Sequence, residues 1–416
     1  WITGKYPSRW GIDKNEDINL QANSPSFIRK LKNNGWKTYL VGKTHWTSHR
    51  RPKDLRSEVE LNKKLGIDNI IEVAGPRALR HIRCSLTDLW EEAGVLTGFI
   101  NDLDERYNNK YEKIKPWVVK PTTLPNELYP DIWIADQSIK IIEKIPDNKP
   151  WVLWISFVGP HEPFDTPKEW AERSLVDEIK EEIHPQCWLK EIDKNNMHYE
   201  QFKKWEGILQ KKEIFALRKD YIRRNILLDE QVGKILKKLL SRTDYDRTSL
   251  LLTSDHGEML GDHGMLYKGN LLQQAIQVPF IYLKSLRSLK NDNSGRKVDH
   301  PLSSTDLIKN IINEMISTSK NQRPKRRRKN YAFVEYNKNT AVITEELKCV
   351  FDSQGSPVWC TDMKKDNVET DDNIFTEGFE ENIDANKWKQ VLRIRDRETK
   401  KRRKESWVIS DLKRTN

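Results

Sequence analysis

Residues 250–268 read LLLTSDHGEMLGDHGMLYK and contain the most informative pattern in the chain. The apolar run 250–252 predicts a buried strand, and Asp255 and His256 follow where this strand ends. Adjacent oxygen and nitrogen ligands at the carboxyl end of a strand are how open α/β sheets present a metal ion. The glycines that follow allow sharp turns, and Lys268 adds a compact positive charge that can hold an oxyanion. The stretch therefore predicts a functional site at a sheet edge, although a single Asp-His-Gly triplet is also common in structural turns.

Composition indicates a folded chain and favours anionic partners. It has 416 residues, fifteen tryptophans and a formal net charge of +11. A basic balance favours acidic partners or anionic substrates. The basic runs 325–329 and 400–404 lack interleaved aromatic residues, so we interpret them as solvated surface and consider nucleic acid an unlikely partner. No apolar run approaches the roughly 18 residues of a membrane span.

The four cysteines are too few and too scattered for a disulfide framework or a zinc site. They are Cys84, Cys187, Cys349 and Cys360. Cys349 and Cys360 could face each other across a hairpin, but we expect two free buried thiols.

Helix and strand patterns alternate along the first three quarters of the chain. Helices are predicted at 24–34, 129–145 and 221–240, and strands at 36–41, 151–157 and 250–252. Such alternation predicts an α/β fold with a mostly parallel, doubly wound sheet. Short strand patterns at 331–335 and 347–351 predict a small antiparallel C-terminal subdomain.

These patterns divide the chain into three parts. We expect an α/β domain at 1–320, a small α+β subdomain at 321–376 and a basic charged tail at 377–416, either helical or loose.

Two other predicted strands also end in polar candidates. Lys43 and His45 follow the strand at 36–41, and their spacing allows both side chains to point to the same side. His161 follows the strand at 151–157 and lies between Pro160 and Pro163, which prevent a helix from starting there. Each of these motifs alone is more often structural, but together at strand ends they favour a shared site.

In combination the motifs resemble the sulfatase family of the alkaline-phosphatase-like superfamily. The matching elements are Ser254-Asp255-His256-Gly257, Gly261-Asp262-His263-Gly264 with Lys268, Gly42-Lys43-Thr44-His45 and Pro160-His161-Glu162-Pro163. The resemblance implies an alkaline-phosphatase-like fold.

The resemblance also implies a role for each matching residue. Lys43 would hold the nucleophile's oxygen, and His45 would act as acid or base. His161 and Lys268 would be catalytic and would bind the substrate's sulfate and leaving-group oxygen. Asp255 and His256 would bind a metal, and His263 would either support the site through a hydrogen bond or fill a glycine turn.

Two cofactors follow from the same resemblance. One is a divalent cation, Ca²⁺ by family, with Mg²⁺ or Mn²⁺ also compatible with a histidine ligand. The other is a formylglycine nucleophile made from Cys or Ser, which we expect just upstream of Trp1 because residues 2–12 match the segment that normally follows it. The paired N-terminal aspartates that complete the family's metal site are also missing from this sequence. The residue after Asp255 is His rather than the commoner Asn, which resembles the branch of choline sulfatases and phosphonate monoester hydrolases.

The sequence therefore predicts a metal-dependent hydrolase of sulfate esters, acting on a small-molecule or carbohydrate substrate. The alternatives are a phosphonate monoester or phosphodiester hydrolase on the same scaffold, and an inactive binder of sulfated polymers. We expect the insertion between His161 and Tyr221, which contains Trp170, Trp188 and Trp205, to contribute to the substrate pocket. Oligomeric state and compartment stay open, although the family is often extracytoplasmic.

Overall fold

The computed structural model describes residues 1–13, 18, 20–49, 52–107, 115–174, 179–290, 295–319, 329–365, 367–371 and 374–414. Its strands are β1 (Lys37–Lys43), β2 (Lys53–Asp54), β3 (Asn69–Val73), β4 (Ile82–Arg83), β5 (Trp151–Ser156), β6 (Leu250–Thr253), β7 (Phe280–Leu283), β8 (Ala332–Tyr336), β9 (Asn339–Ile343), β10 (Leu347–Phe351), β11 (Pro357–Asp362) and β12 (Ile374–Phe375). Its α-helices are α1 (Phe27–Lys32), α2 (Val59–Leu65), α3 (Ser85–Glu92), α4 (Leu96–Tyr107), α5 (Pro130–Lys144), α6 (Lys168–Ala171), α7 (Met197–Trp205), α8 (Lys211–Leu240), α9 (Gln273–Ile276), α10 (Ser304–Ser319), α11 (Phe379–Asn382) and α12 (Ala385–Arg414).

A parallel sheet in the order β3-β1-β5 forms the centre of the α/β part. Strand β1 lies between its two partners, and Gly42 near its end approaches the backbone carbonyl of Ser156 so closely that a Cβ would collide with it. Strands β6 and β7 pair with each other in antiparallel fashion. The mostly parallel α/β fold predicted from the alternating pattern is confirmed.

Both faces of the parallel sheet are covered, as expected for a doubly wound fold. Successive residues of β1 point to opposite faces. Val41 packs into a cluster with Trp90 and with Ile134 of α5, while Leu40 packs into another cluster with Ile28 of α1. The sheet is therefore held by two separate apolar layers.

Helix α8 begins at Lys211, not at residue 221 as predicted. Its N-terminus has a capping box in which Gln210 and Glu213 satisfy each other's backbone N–H groups. Ile214 and Leu217 in the added turns are buried. These added turns lie within the insertion between His161 and Tyr221, and Ile214 packs so closely on Gly261 that a Cβ there would collide with it.

The C-terminal part forms a five-stranded antiparallel sheet in the order β12-β11-β10-β9-β8. In its register Cys349 lies directly opposite Cys360, with Cα atoms 4.2 Å apart, and the two form a disulfide. The prediction of two free thiols at these positions was wrong, because the hairpin brings them face to face.

Helix α12 covers one face of this antiparallel sheet. Trp388, Val391 and Ile394 are buried in a cluster with Phe333 and Phe351, so the first half of the predicted charged tail is packed helix. The domain boundaries at 320 and 376 stay predictions. Of the basic run 325–329, residues 325–328 lie outside the described residues, and the run 400–404 lies in α12. Among the helices that the structure describes, none combines the length and apolar character of a membrane span.

Candidate active site

Three strand ends bring the predicted site residues to one edge of the molecule. Lys43 ends β1, His161 follows β5, and Asp255 and His256 follow β6. The residues predicted to be catalytic or metal-binding line the same cavity, and they are Lys43, His45, His161, Asp255, His256 and Lys268. The structure therefore brings together six residues that span more than two hundred positions of sequence.

Asp255 and His256 form a mixed oxygen and nitrogen pair. Nδ1 of His256 donates to the Gly257 carbonyl at 2.8 Å, which leaves Nε2 as the acceptor nitrogen, 3.7 Å from Asp255 Oδ2. Burial lowers the pKa of His256. Burial opposes ionisation of Asp255, but the nearby His256 and Lys43 hold its pKa below the usual range. An ionised carboxylate beside a neutral imidazole is the state in which both can bind a metal ion.

This pair fits part of the coordination shell of a divalent cation. The backbone carbonyl that fixes His256 is the kind of support that metal-bound histidines receive. Within the described ranges no third His, Cys, Asp or Glu converges with them. Ca²⁺ takes about six to eight oxygen ligands and Mg²⁺ retains several waters. Asp255 and His256 could therefore supply two positions of such a shell.

His161 and Lys268 meet at the centre of the site. Lys268 Nζ donates to His161 Nε2 at 2.5 Å, and His161 Nδ1 donates to the backbone carbonyl of Glu162 at 2.9 Å. Burial lowers the pKa of His161 even though the Glu162 carboxylate opposes this shift. A neutral imidazole with Nε2 directed at the cavity, beside an ammonium group, can bind an oxyanion and move a proton at it.

Two buried side chains on helices hold the loop that carries His161. Arg224 of α8 donates to the carbonyls of His161 and Pro163, at 2.7 and 2.6 Å. Asp131 of α5 accepts from the N–H groups of Val158 and Gly159, at 2.7 and 3.0 Å. At Gly159 a Cβ would collide with the Asp131 carboxylate, so this close approach requires glycine.

Lys43 and His45 form the third corner of the site. Burial lowers the pKa of Lys43. Burial together with the charge of Lys43 lowers the pKa of His45 to about 4, and its ring stacks on His49 with centroids 4.9 Å apart. His45 is therefore a neutral imidazole near pH 7 that can accept a proton.

Sequence reasoning missed two charged residues that contact the site. Glu162, only 2% exposed, accepts from Arg77 Nη1 on Oε1 at 3.0 Å. Its Oε2 lies 2.9 Å from His161 Nδ1 and 3.7 Å from Lys268 Nζ. The sequence contains a signal for each of these residues. Glu162 occupies the variable position between His161 and Pro163, and Arg77 follows the end of β3 as the other site residues follow their strands.

The structure places His263 and the three tryptophans of the insertion away from the cavity. His263 is buried, and its Nε2 contacts the Val368 carbonyl at 3.0 Å. Trp170, Trp188 and Trp205 are also buried in the core. Their rings fill space between elements and do not line the cavity. The cavity lining that the insertion does supply comes from Met197, Glu200 and Gln201.

At one edge of the parallel sheet, a cationic cluster that could bind an anion thus lies beside an Asp–His pair that could hold part of a metal's ligand shell. The sulfatase family model matches residues 1–315. The chain belongs to the sulfatase family, which confirms the resemblance noted in the sequence.

Two relatives show how far the sequence similarity extends. An arylsulfatase of Clostridium perfringens is 26% identical over 292 residues, covering 64% of this chain and 58% of the relative. A choline-sulfatase of Rhizobium meliloti is 24% identical over 300 residues, covering 68% of this chain and 51% of the relative. The matched region thus spans little more than half the length of these relatives.

Solved structures of low sequence identity share the fold. The phosphonate monoester hydrolase of Agrobacterium radiobacter matches with a TM-score of 0.67 at 16% identity, covering 95% of this chain and 85% of that one. A structure in complex with its substrate D-glucosamine-2-N,6-O-disulfate matches with a TM-score of 0.55 at 15% identity, covering 96% and 87%. At such identities the likeness establishes the alkaline-phosphatase-like fold alone.

Proposed function

We propose that this protein hydrolyses sulfate esters with the help of a divalent cation. The observation that carries the proposal is the convergence of Lys43, His45, His161 and Lys268 beside the Asp255–His256 pair: Lys268 contacts His161, the rings of His161 and His256 lie 6.2 Å apart, and the charge of Lys43 acts on His45 and Asp255. These residue types are required for an oxyanion reaction, and the chain that carries them is a member of the sulfatase family. An inactive binder would not need to keep every one of these groups.

Lys268 and His161 would act on the ester itself. Lys268 can donate from Nζ to a sulfate oxygen or to the leaving-group oxygen, where negative charge develops. His161 has Nδ1 fixed on a backbone carbonyl, so Nε2 is the atom that can take up or deliver a proton at the same oxygen. Both groups face the cavity, as the reaction requires.

Asp255 and His256 would hold the cation, which we propose is Ca²⁺, with Mg²⁺ or Mn²⁺ as the other candidates. When bound, a divalent cation polarises a sulfate oxygen as a Lewis acid. Lys43 would orient the nucleophile's oxygen, and His45 would accept or return its proton. The nucleophile that the family implies is formylglycine.

The substrate is proposed to be a small-molecule or carbohydrate sulfate ester. The relatives include a choline-sulfatase, and a structural neighbour is described in complex with a disulfated glucosamine. The cationic cluster would bind the sulfate group common to both classes.

The test is an assay of the complete protein on 4-nitrophenyl sulfate and on a phosphonate monoester. We expect sulfate release that a chelator abolishes and added cation restores, because the reaction would depend on the ion that Asp255 and His256 hold. His161→Ala should lower kcat by about 10²-fold or more, as expected when a general acid or base is removed. The matched control is His184→Ala, since His184 is exposed and lies outside the cavity lining.

Other outcomes would replace the proposal. Turnover of the phosphonate alone would assign the alternative hydrolase chemistry to the site. A metal-loaded protein that binds sulfate esters without cleaving any would favour the inactive binder.

A further inference from the structure

Glu162 is a buried negative charge inside a site that must attract anions. Its carboxylate is almost inaccessible, yet one oxygen approaches both His161 and Lys268. Nothing in the proposed chemistry uses this carboxylate, because His161 Nδ1 already donates to a backbone carbonyl. The buried carboxylate at this position therefore needs an explanation other than a role in proton transfer.

The carboxylate is held in its charged form by its surroundings. Burial opposes ionisation, but His161, Lys268 and Arg77 together keep the pKa of Glu162 well below its usual range. Oε2 lies 2.9 Å from His161 Nδ1, whose N–H also points to the Glu162 carbonyl, so the neutral ring offers this carboxylate an N–H dipole and not a full charge. Arg77 binds the other oxygen and is 48% exposed, so water screens its own charge more than that of Glu162.

A fixed charge beside an anion site acts on ligands in proportion to their charge. Lys43, Lys268 and Arg77 attract both singly and doubly charged tetrahedral anions, while Glu162 repels both. The repulsion is about twice as large for a dianion, because Coulomb energy is linear in charge. A sulfate ester carries one negative charge, whereas a fully ionised phosphate monoester carries two.

We propose that Glu162 sets the charge selectivity of the site and disfavours doubly charged esters relative to singly charged sulfate esters. This inference rests on the proposed function, since it assumes that the ester's anionic group lies against His161 and Lys268. It assigns to Glu162 a specificity role that is separate from proton transfer.

The test compares two stable ligands of similar shape that differ in charge. Benzenesulfonate is a monoanion, and phenylphosphonate is a dianion at a pH where it is fully ionised. Calorimetric titration of the complete, cation-loaded protein with each ligand gives the ratio of their two Kd values. In Glu162→Gln we expect phenylphosphonate to gain affinity over benzenesulfonate by about 10-fold or more, the order that Coulomb's law gives for one charge several ångströms away at an effective dielectric constant of about 20.

A second variant and a matched control complete the design. Arg77→Gln removes a cation that attracts anions directly and also partly neutralises Glu162, so the selectivity should move the opposite way, against phenylphosphonate. If Glu162→Gln does not fold, the double variant Arg77→Gln/Glu162→Gln, which removes both partners of the ion pair, carries the test, because it should favour phenylphosphonate relative to Arg77→Gln alone. The control is Glu230→Gln, which removes an equal charge from an acid that pairs with Arg173 and does not line the cavity. This variant should leave the ratio of the two Kd values unchanged.

The possible failures are distinguishable. If both ligands bind and Glu162→Gln leaves their ratio unchanged, the selectivity role is wrong while the anion site stands. If neither ligand binds the unmodified protein, the anion site of the proposed function fails, and the inference fails with it.

Discussion

Two clusters among the described residues can be compared, because each contains one lysine, one glutamate and one histidine in close proximity. The site cluster consists of His161, Glu162 and Lys268, and the buried cluster consists of His198, Lys348 and Glu369. In the site cluster the lysine is 28% exposed and faces the cavity. In the buried cluster both Lys348 and Glu369 are 0% exposed. The same side chains thus occupy two very different electrostatic situations.

In the buried cluster every charge has an internal partner. Lys348 Nζ lies 2.5 Å from Glu369 Oε1, and the other carboxylate oxygen accepts from the backbone N–H of Gln273 at 2.8 Å. His198 donates from Nδ1 to the Asn196 side chain and accepts the Leu271 N–H on Nε2 at 3.1 Å. These bonds hold the segment that immediately follows Lys268.

The comparison shows that residue types alone do not distinguish a ligand-binding site from a buried structural cluster. Around the site cluster, Lys43 and Arg77 add positive charge to that of Lys268, and a ligand can reach Lys268 from the cavity. In the buried cluster, the charges balance and no ligand can enter. The first arrangement favours anion binding and the second favours stability. Substitutions in the site cluster should therefore lower activity, and substitutions in the buried cluster should lower the free energy of unfolding.

The largest expected effect is on stability, in Glu369→Gln. This change leaves Lys348 charged and buried without its counter-ion, which costs about 3–5 kcal/mol in comparable pairs. We expect the free energy of unfolding, measured by urea denaturation, to fall by that amount, while kcat per folded molecule changes little. The double variant Lys348→Met/Glu369→Gln should recover much of the loss, because it removes the uncompensated charge. A loss below about 1 kcal/mol in the single variant would contradict this account of the pair.

The next effect is on activity, in Lys268→Ala. Removing a preorganised donor at a developing oxyanion costs about 10²–10³-fold in kcat, or roughly 2.7–4 kcal/mol. Unfolding free energy should stay nearly constant, because Lys268 is partly exposed and its removal also relieves crowding among cations. Lys168→Ala, at a highly exposed lysine on α6, is the control for losing one positive charge. The two clusters would no longer be distinct if Lys268→Ala destabilised the protein as much as Glu369→Gln.

The site cluster was more predictable from sequence than the buried one. His161 and Lys268 follow local patterns, because a strand end with glycine or proline is visible in the chain itself. The Lys348–Glu369 pair depends on where β10 lies relative to a loop in which Glu369 adopts a positive φ of 63°. No local spacing encodes that contact. The Cys349–Cys360 pairing differs, because a hairpin spacing indicated it and only the expectation of free thiols was wrong.

Helix α12 shows a different reason for a missed feature. Its buried positions Trp388, Val391 and Ile394 are spaced three residues apart, which is a helical signal. Because of the dense charge around them, the tail was predicted as either helical or loose, without a packed face. Amphipathic spacing within a charged segment was therefore more informative than its composition.

The smallest expected effect is a pH dependence of stability that comes from the buried cluster. Burial lowers the pKa of His198 to about 3, against an ordinary value of 6.5. Because the folded protein binds this proton less readily than the unfolded chain, His198 contributes stability above pH 6.5 that is lost as the pH falls toward 3. Between pH 7.5 and 5 the loss should be about 2 kcal/mol, and urea denaturation of His198→Gln should lack that part of the pH dependence. An identical pH dependence in both proteins would mean that the ring can be protonated in place. Protons from solvent would then reach the buried cluster. The two clusters would differ only in the exposure of their lysines, Lys268 and Lys348.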